Sequence, residues 1–509
     1  MRGRCGSTGW LGVGIFLFSS FAAPVVGQEI GATLSLDEAV QMARENNPNF
    51  LMVENDRDLA AWVQREAYAG FLPTANTSFS GQYLAPGSPS FGIFDAGDLG
   101  LDVTDYYFSG YNLSLGYTLS GRTFFEVGSA KANSRATEAG IRAAEYNLES
   151  AVTAQYLIAL RARDAVEVAQ RQLDRANENL ELAQARVDVG AVIPTDGKQA
   201  EVEEGRARVA LIEAESLSRT EKLRLVEQLG IRNTGDFDLV SEFQIFQPTW
   251  RREELVDRAM TIHPQLRAYE AQESAGKARA RQAWSSYFPT LNLQATWSGR
   301  AREIGESGYL LNQYREGIRG AQQNCLFWNE LASGLSGPLT GYPSDCSGLV
   351  ASSDREAQIL AANDVFPFDL QPEPMSLYVQ LSFPIFQGFS RHRQIEEARV
   401  YAEDARYNRR AEELRLQTAV TQAYDELLTA VEVVGIEERN REVANEQLAL
   451  AQERYRLGAA TFLELLEAQS SVAAAERDYL NARYRFHGAL WALEAAVGER
   501  LLQETELPN

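Results

Sequence analysis

Histidine, cysteine, clustered basic charge and long apolar runs are all scarce in this chain. Its 509 residues hold three histidines, His263, His392 and His487, far apart and not at metal-ligand spacing. There is no HExxH, no P-loop, no GxSxG elbow and no paired cysteine ligand set. Those gaps speak against an enzyme, and neither a cofactor nor a metal is expected. Lys and Arg number 48 against 70 Asp and Glu, for a formal net charge of −22 with no dense basic run. Phosphate binding needs clustered cations, so nucleic acid is not an expected partner. Beyond the N-terminal stretch, no run approaches the ~20 apolar residues of a membrane-spanning helix. Any passage through a membrane must then use strands closed into a barrel, because lipid does not tolerate open sheet edges.

What is present begins with an export signal. Arg2 and Arg4 precede a mostly apolar stretch, Trp10 to Ala23, and Val25 and Gly27 fit the −3 and −1 positions of a cleavage site before Gln28. The other reading is an uncleaved anchor, for which the apolar run is short. Cys5 lies ahead of the apolar stretch, so it is not an acylation site of the lipoprotein kind. Cleavage leaves two cysteines, Cys325 and Cys346, and an even count in an exported chain suggests a disulfide bracing the loop between them. Two free thiols are the alternative.

The most informative feature is internal repetition. Asn47-Pro48 matches His263-Pro264, and at the same offset of 216 Phe71-Leu72-Pro73-Thr74 matches Tyr287-Phe288-Pro289-Thr290. Later the offset becomes 268: Ala151-Val152-Thr153 matches Ala419-Val420-Thr421, Tyr156 matches Tyr424, Leu180 to Ala191 matches Leu448 to Ala459, and Gly230 matches Gly498. The change falls in one place, Arg300 to Met375, an insertion in the second copy.

Each copy reads as helix, strand, strand, long helix, tight turn, helix. Ser35 with Glu38 forms a capping box; Pro48 interrupts the first helix and Pro73 stops the second. Strands are expected at about 74–84 and 106–120, and again at about 290–299 and 376–386, alternating apolar and polar residues with aromatics on the apolar face. That is the pattern of a membrane barrel, and a soluble sandwich strand shares it. Four strands cannot close a barrel, for which about eight is the practical minimum, so several chains must share one. Gly121 to Val189 and Phe389 to Leu457 contain no proline. Each makes roughly 100 Å of helix at 1.5 Å per residue. Val420, Tyr424, Leu427, Val431 and Val434 form a heptad seam; Leu148, Val152, Tyr156, Ala159 and Val166 nearly do, with Arg163 interrupting. Returning helices, Thr195 to Leu229 and Thr461 to Val497, complete one antiparallel hairpin per copy.

With these residues in view, nearly all the mature chain resembles the TolC family of outer-membrane efflux and secretion ducts. The Asn-Pro and His-Pro breaks, the Phe-Leu-Pro-Thr and Tyr-Phe-Pro-Thr corners and the duplicated tips carry the likeness. The resemblance implies an α+β membrane protein: a homotrimer with a 12-stranded outer-membrane β-barrel, four strands per chain, continued by an α-helical coiled-coil periplasmic tunnel. The divisions would be a signal peptide at 1–27, a first repeat at 28–247 with its tip near 190, and a second at 248–509 with its tip near 458 and an extracellular loop inserted at 300–375. A periplasmic adaptor and an inner-membrane transporter would be its partners in an efflux pump or a type I secretion system, with outer-membrane lipid around it. The resemblance assigns adaptor contact to the tips, Arg186, Val189, Gly190 and Ala191 with Arg454, Leu457, Gly458 and Ala459. It places the gate at Glu464 and Glu467, one helix face apart by three positions, with Thr195, Asp196 and Tyr455 as contacts. A family arginine two positions after the second tip glycine is replaced here by Ala460. The plain reading of Glu464 and Glu467 is a solvated helix face, and the rival to the duct is a secreted or periplasmic coiled-coil scaffold without a pore.

Overall fold

The computed structural model describes residues 33–87, 90–91, 94–95, 104–232, 237–240, 244–337 and 339–501; the expected export segment 1–27 lies outside them. In chain order the elements are β1 (Thr33–Leu34), α1 (Leu36–Asn46), α2 (Pro48–Ala69), β2 (Thr74–Leu84), β3 (Ser90–Phe91), β4 (Phe94–Asp95), β5 (Tyr106–Ser120), α3 (Gly121–Asp188) and α4 (Pro194–Leu229). There follow β6 (Asp238–Leu239), α5 (Arg252–Ile262), α6 (Pro264–Trp284), β7 (Thr290–Ile304), α7 (Ser307–Gly334), α8 (Ser353–Asn363), β8 (Gln371–Pro372), β9 (Ser376–Ser382), α9 (Ser390–Arg456) and α10 (Phe462–Val497). The chain forms two compact units, one of 58–136 with 271–407 and one of the remainder.

The first of these holds the sheet. β2, β5 and β7 run antiparallel in that order, and β9 with the short β8 shares the outer edge of β7. The register stacks like with like. Leu119, Leu291 and Leu381 form one row across the strands, and Tyr117, Leu293 and Val379 the next. The opposite face carries Thr118, Asn292 and Gln380, with the Thr118 hydroxyl donating to Asn292 Oδ1 at 2.9 Å. Every residue of β2 and β9 is exposed. From Leu115 to Leu119 the rows on one face are apolar throughout, with Leu377, Val379 and Leu381 exposed. Toward the other end of that face Phe368 stacks on Phe79 at 6.3 Å, Phe366 meets Tyr107 at 5.4 Å, and the Ser109 hydroxyl donates to the Pro367 carbonyl at 2.7 Å.

Two expectations need correcting. The second pair of strands has other limits: β7 runs on to Ile304, still paired with β5, whereas β9 ends at Ser382, just before Pro384. Residues 300–375 are not a loop. They hold the end of β7 and two helices, α7 and α8. Leu311, Tyr314, Ile318 and Cys325 recur at helical spacing on α7. The Arg315 guanidinium makes a bidentate pair with Glu356 of α8 at 2.7 and 3.0 Å. Asn363 then fixes α8 to the end of β7 by two bonds to the Ile304 backbone, at 2.8 and 2.9 Å. The Cys325–Cys346 disulfide is formed and ties α7 to the segment before α8.

The other unit is helical. Ser35 caps α1: its hydroxyl accepts from the Glu38 N–H at 3.3 Å, while Glu38 Oε2 accepts from the Ser35 N–H at 2.9 Å. These bonds hold the Glu38 carboxyl below its ordinary pKa. Val152, Tyr156, Ala159 and Leu160 of α3 are fully buried against α1 and α4. The Tyr156 hydroxyl lies 2.8 Å from the Leu34 and Val240 carbonyls and accepts from the Val240 N–H at 3.1 Å, stitching β1 beside β6; burial pushes its pKa up to about 12. Arg163, which breaks the heptad, does so because its guanidinium serves Asp164 and the Leu239 carbonyl. On α9 the seam Val420, Leu427 and Val434 is buried against Leu255, Phe486, Leu490 and Leu493.

Two helix breaks are built alike. Asn47, between α1 and α2, accepts from the Asn49 and Phe50 N–H groups and donates to the Gln228 carbonyl at 2.7 Å. His263, between α5 and α6, accepts at Nδ1 from the Gln265 N–H at 3.2 Å, and its Nε2 faces the Ala495 carbonyl at 3.3 Å. In each case the return helix ends on a left-handed glycine packed on the break: Gly230 at φ 72° and Gly498 at φ 94°. A Cβ on Gly230 would stand 2.4 Å from the Asn46 carbonyl oxygen, and one on Gly498 would stand 2.9 Å from His263 Cα.

Gly230→Ala therefore meets both backbone strain and a backbone clash, and is expected to destabilise by about 2 kcal/mol or more. Gly128→Ala, inside α3 with open space around it, should stabilise by about 0.5–1 kcal/mol; thermal unfolding followed by circular dichroism compares the two. His487 is buried, and desolvation followed by the Arg483 charge lowers its pKa to about 4. The unfolded chain takes up that proton near pH 6.5. Stability is thus fully present above pH 6.5 and falls by up to about 3 kcal/mol as pH drops to 4. His487→Phe should flatten that part of the pH–stability curve.

Candidate functional site at the hairpin tips

Both hairpins turn by the same hydrogen bonds. At the first tip the Gly190 N–H donates to the Val187 carbonyl and the Ala191 N–H to the Arg186 carbonyl, each at 2.9 Å. At the second, Gly458 donates to Tyr455 at 3.0 Å and Ala459 to Arg454 at 2.8 Å. These are Schellman closures. They require the positive φ of Gly190 (71°) and Gly458 (75°). Pro194 starts α4 at a position where a missing N–H costs nothing, and Thr461 caps α10 by accepting from the Glu464 N–H at 3.3 Å.

Arg186 joins the two tips. Its guanidinium lies over the Tyr455 ring, 4.4 Å from the centroid, and its Nη1 donates to the Tyr455 carbonyl. Tyr455 is almost fully buried, against Phe462 at 5.7 Å and beside Leu465 and Leu448. Its hydroxyl has no hydrogen-bond partner among the described residues. Burial raises its pKa, the Asp196 charge adds to that and the Arg186 charge opposes it. The phenol is therefore neutral, set between a cation and an anion of the first hairpin.

The remaining expected residues fall as follows. Arg454 reaches Glu464 Oε2 at 3.4 Å and the Ala459 carbonyl at 3.3 Å, an exposed tie within the second tip. Glu464 is thus occupied by its own cap and by Arg454, whereas Glu467 is exposed. Thr195 is exposed and Asp196 half-buried. Val189 and Leu457, each 78% exposed, crown the tips with apolar side chains facing water. The Arg186 contact with Tyr455 was not foreseen; the sequence marked both residues but gave no sign that they meet.

Tyr455→Phe removes a buried hydroxyl that has no partner, so it should be neutral or stabilising by up to about 1 kcal/mol. Arg186→Ala should loosen the tips instead, seen as faster amide hydrogen exchange over 454–465 with the rest of the helices unchanged.

Three comparisons bear on identity. The VceC outer membrane protein of Vibrio cholerae is 16% identical, with a TM-score of 0.63 over 91% of this chain and 96% of that one. The CmeC outer membrane channel of Campylobacter jejuni is 15% identical, TM-score 0.64, over 92% and 87%. The MtrE outer membrane channel of Neisseria gonorrhoeae, in its open state, is 16% identical, TM-score 0.64, over 93% and 91%. At such identities the likeness shows a shared fold. No curated protein matches by sequence. The family model for outer membrane efflux proteins, a family of transport ducts and not of enzymes, matches residues 39–231 and 349–499, well over half of the chain. This chain belongs to the outer membrane efflux protein family and resides in the outer membrane.

Proposed function

We propose that three copies of this chain close one barrel and one helical tunnel, forming the passive exit duct of a tripartite efflux pump or type I secretion system. One observation carries the reading: the sheet leaves apolar side chains exposed on one face, among them Leu115, Leu377, Val379 and Leu381, and has two free outer edges, on β2 and β9. In lipid an unpaired edge is untenable, so β9 of one copy pairs with β2 of the next. The helices support the same assembly. Leu414 and Leu428, then Ile436, Val443 and Leu450, recur by sevens or fourteens on the outside of α9, and Val202, Val209 and Leu223 do so on α4. Exposed heptad seams are faces awaiting other helices.

The two repeats, 28–247 and 248–509, each supply two long strands and one hairpin. The tips meet the adaptor through Val189, Ala191, Leu457 and Ala459, and the inner-membrane transporter delivers cargo through it. Glu464 and Glu467 of three copies ring the tunnel end with like charges, which favour cations and resist anions. With Ala460 in place of the family arginine, Arg186 supplies the tie between hairpins from the other side, through Tyr455.

Single-channel recording in planar bilayers tests this. Wild type should insert and conduct with cation preference, and Glu464→Ala combined with Glu467→Ala should weaken that preference. Arg186→Ala should raise open probability, since the tie it removes is of the order of 1–2 kcal/mol. A protein that neither inserts nor conducts rejects the duct.

A further inference from the structure

A cavity of about 420 Å3 opens at the helix end of the sheet, lined by Leu119, Ser120, Phe124, Phe125, Phe288 and Leu381 with their neighbours. Its size falls in the range of small-ligand pockets. Leu119, Leu291 and Leu381 form its strand wall and are the last row of the sheet's apolar face. The helix wall begins at Gly121, where a Cβ would lie 2.6 Å from Phe288 Cβ and Cδ2; only glycine lets the Phe288 ring lie against the head of α3. Phe125 then stacks on Phe288 at 6.4 Å and 11°, and Trp284 meets Phe288 edge-on at 5.6 Å.

The polar atoms at the mouth are turned inward on one another. Ser120 Oγ bonds Thr123 Oγ1 at 3.2 Å and accepts the Thr123 N–H at 3.3 Å, and Pro289 has no N–H to offer. What is left is an apolar wall with open space before it: Phe124 is 58% exposed and Leu381 56% exposed. In water such a surface is costly. It is continuous with the rows of the sheet that must face lipid, and it sits where strand gives way to helix.

We propose that this cavity holds a fatty acyl chain of a phospholipid from the membrane leaflet at the helix end of the strands, a fixed lipid at the collar of the duct. The proposal rests on the barrel reading, in which the apolar face looks outward to lipid and the cargo meets the polar face. An acyl chain suits the site because the wall is a cleft without a free donor or acceptor, and the surrounding solvent on that face is itself acyl chain. Phe124, Phe288 and Trp284 gather at the helix end of the strands, and aromatic girdles flank the apolar band of membrane barrels.

The test uses the full-length protein in phosphatidylethanolamine vesicles that contain a trace of the same lipid with a diazirine in mid-chain. After irradiation, labelled positions are mapped by mass spectrometry. Labels on Phe124, Phe125 and Phe288 should exceed those on the mid-strand residues Leu113 and Trp297 several-fold. Leu381→Trp, a change on the exposed face that fills the cleft, should bring the Phe124, Phe125 and Phe288 labels down to the mid-strand level. Leu377→Trp, four residues away on the same face, should leave them unchanged. Equal labelling of cleft and mid-strand, or no effect of Leu381→Trp, overturns the fixed lipid. Cross-links from the cleft to a second copy of the chain overturn it in favour of protein as the occupant. Absence of label from every strand residue overturns the barrel reading itself.

Discussion

A strand's outer edge carries N–H and C=O groups that need partners, and lipid provides none. In the proposed barrel, that requirement governs the molecule. The β2 and β9 edges are free, Leu377, Val379 and Leu381 leave their apolar side chains exposed, and the helices that follow carry exposed heptad seams. Each is a surface that one chain leaves incomplete. In the proposed trimer, strands and helices of neighbouring copies complete both the sheet and the hairpins.

Within the chain, stability comes from long-range contacts that close local breaks. Asn47 and His263 sit where proline stops a helix. Each uses its side chain twice, to start the next helix and to meet the end of a hairpin's return arm. The left-handed Gly230 and Gly498 allow that contact, because any Cβ would strike the break. Tyr156 does comparable work nearby, holding β1 and β6 with one hydroxyl. Burial of these polar groups is tolerable because each finds a bond.

The tips are organised on a different balance. Tyr455 is buried with its hydroxyl unbonded, an arrangement that costs stability, and Arg186 from the other hairpin covers its ring. The contact is costly on one side and charge-assisted on the other, which fits the gate proposed at the tips. The apolar Val189 and Leu457 beside it remain in water. The disulfide-tied α7 and α8 lie in the other unit and are built from their own contacts, chiefly the Arg315 pair with Glu356.

Much of this was legible in the chain because it is periodic or local. Alternation marked the strands, the absence of proline marked α3 and α9 almost to the residue, and Ser35 with Glu38 marked a cap. The tip glycines announced turns because only glycine takes positive φ cheaply. In the sequence, the glycines and scattered aromatics of residues 300–375 hide two amphipathic helices. Arg163 breaks the heptad because its guanidinium meets the Leu239 carbonyl, 76 residues away. The sequence by itself determined the periods, the breaks and the caps, which depend on residues a few positions apart. Only the tertiary structure decided that Arg186 covers Tyr455, 269 residues on, and that Gly230 packs on Asn46. Such meetings depend on how long helices are laid side by side, and no local pattern encodes that distance.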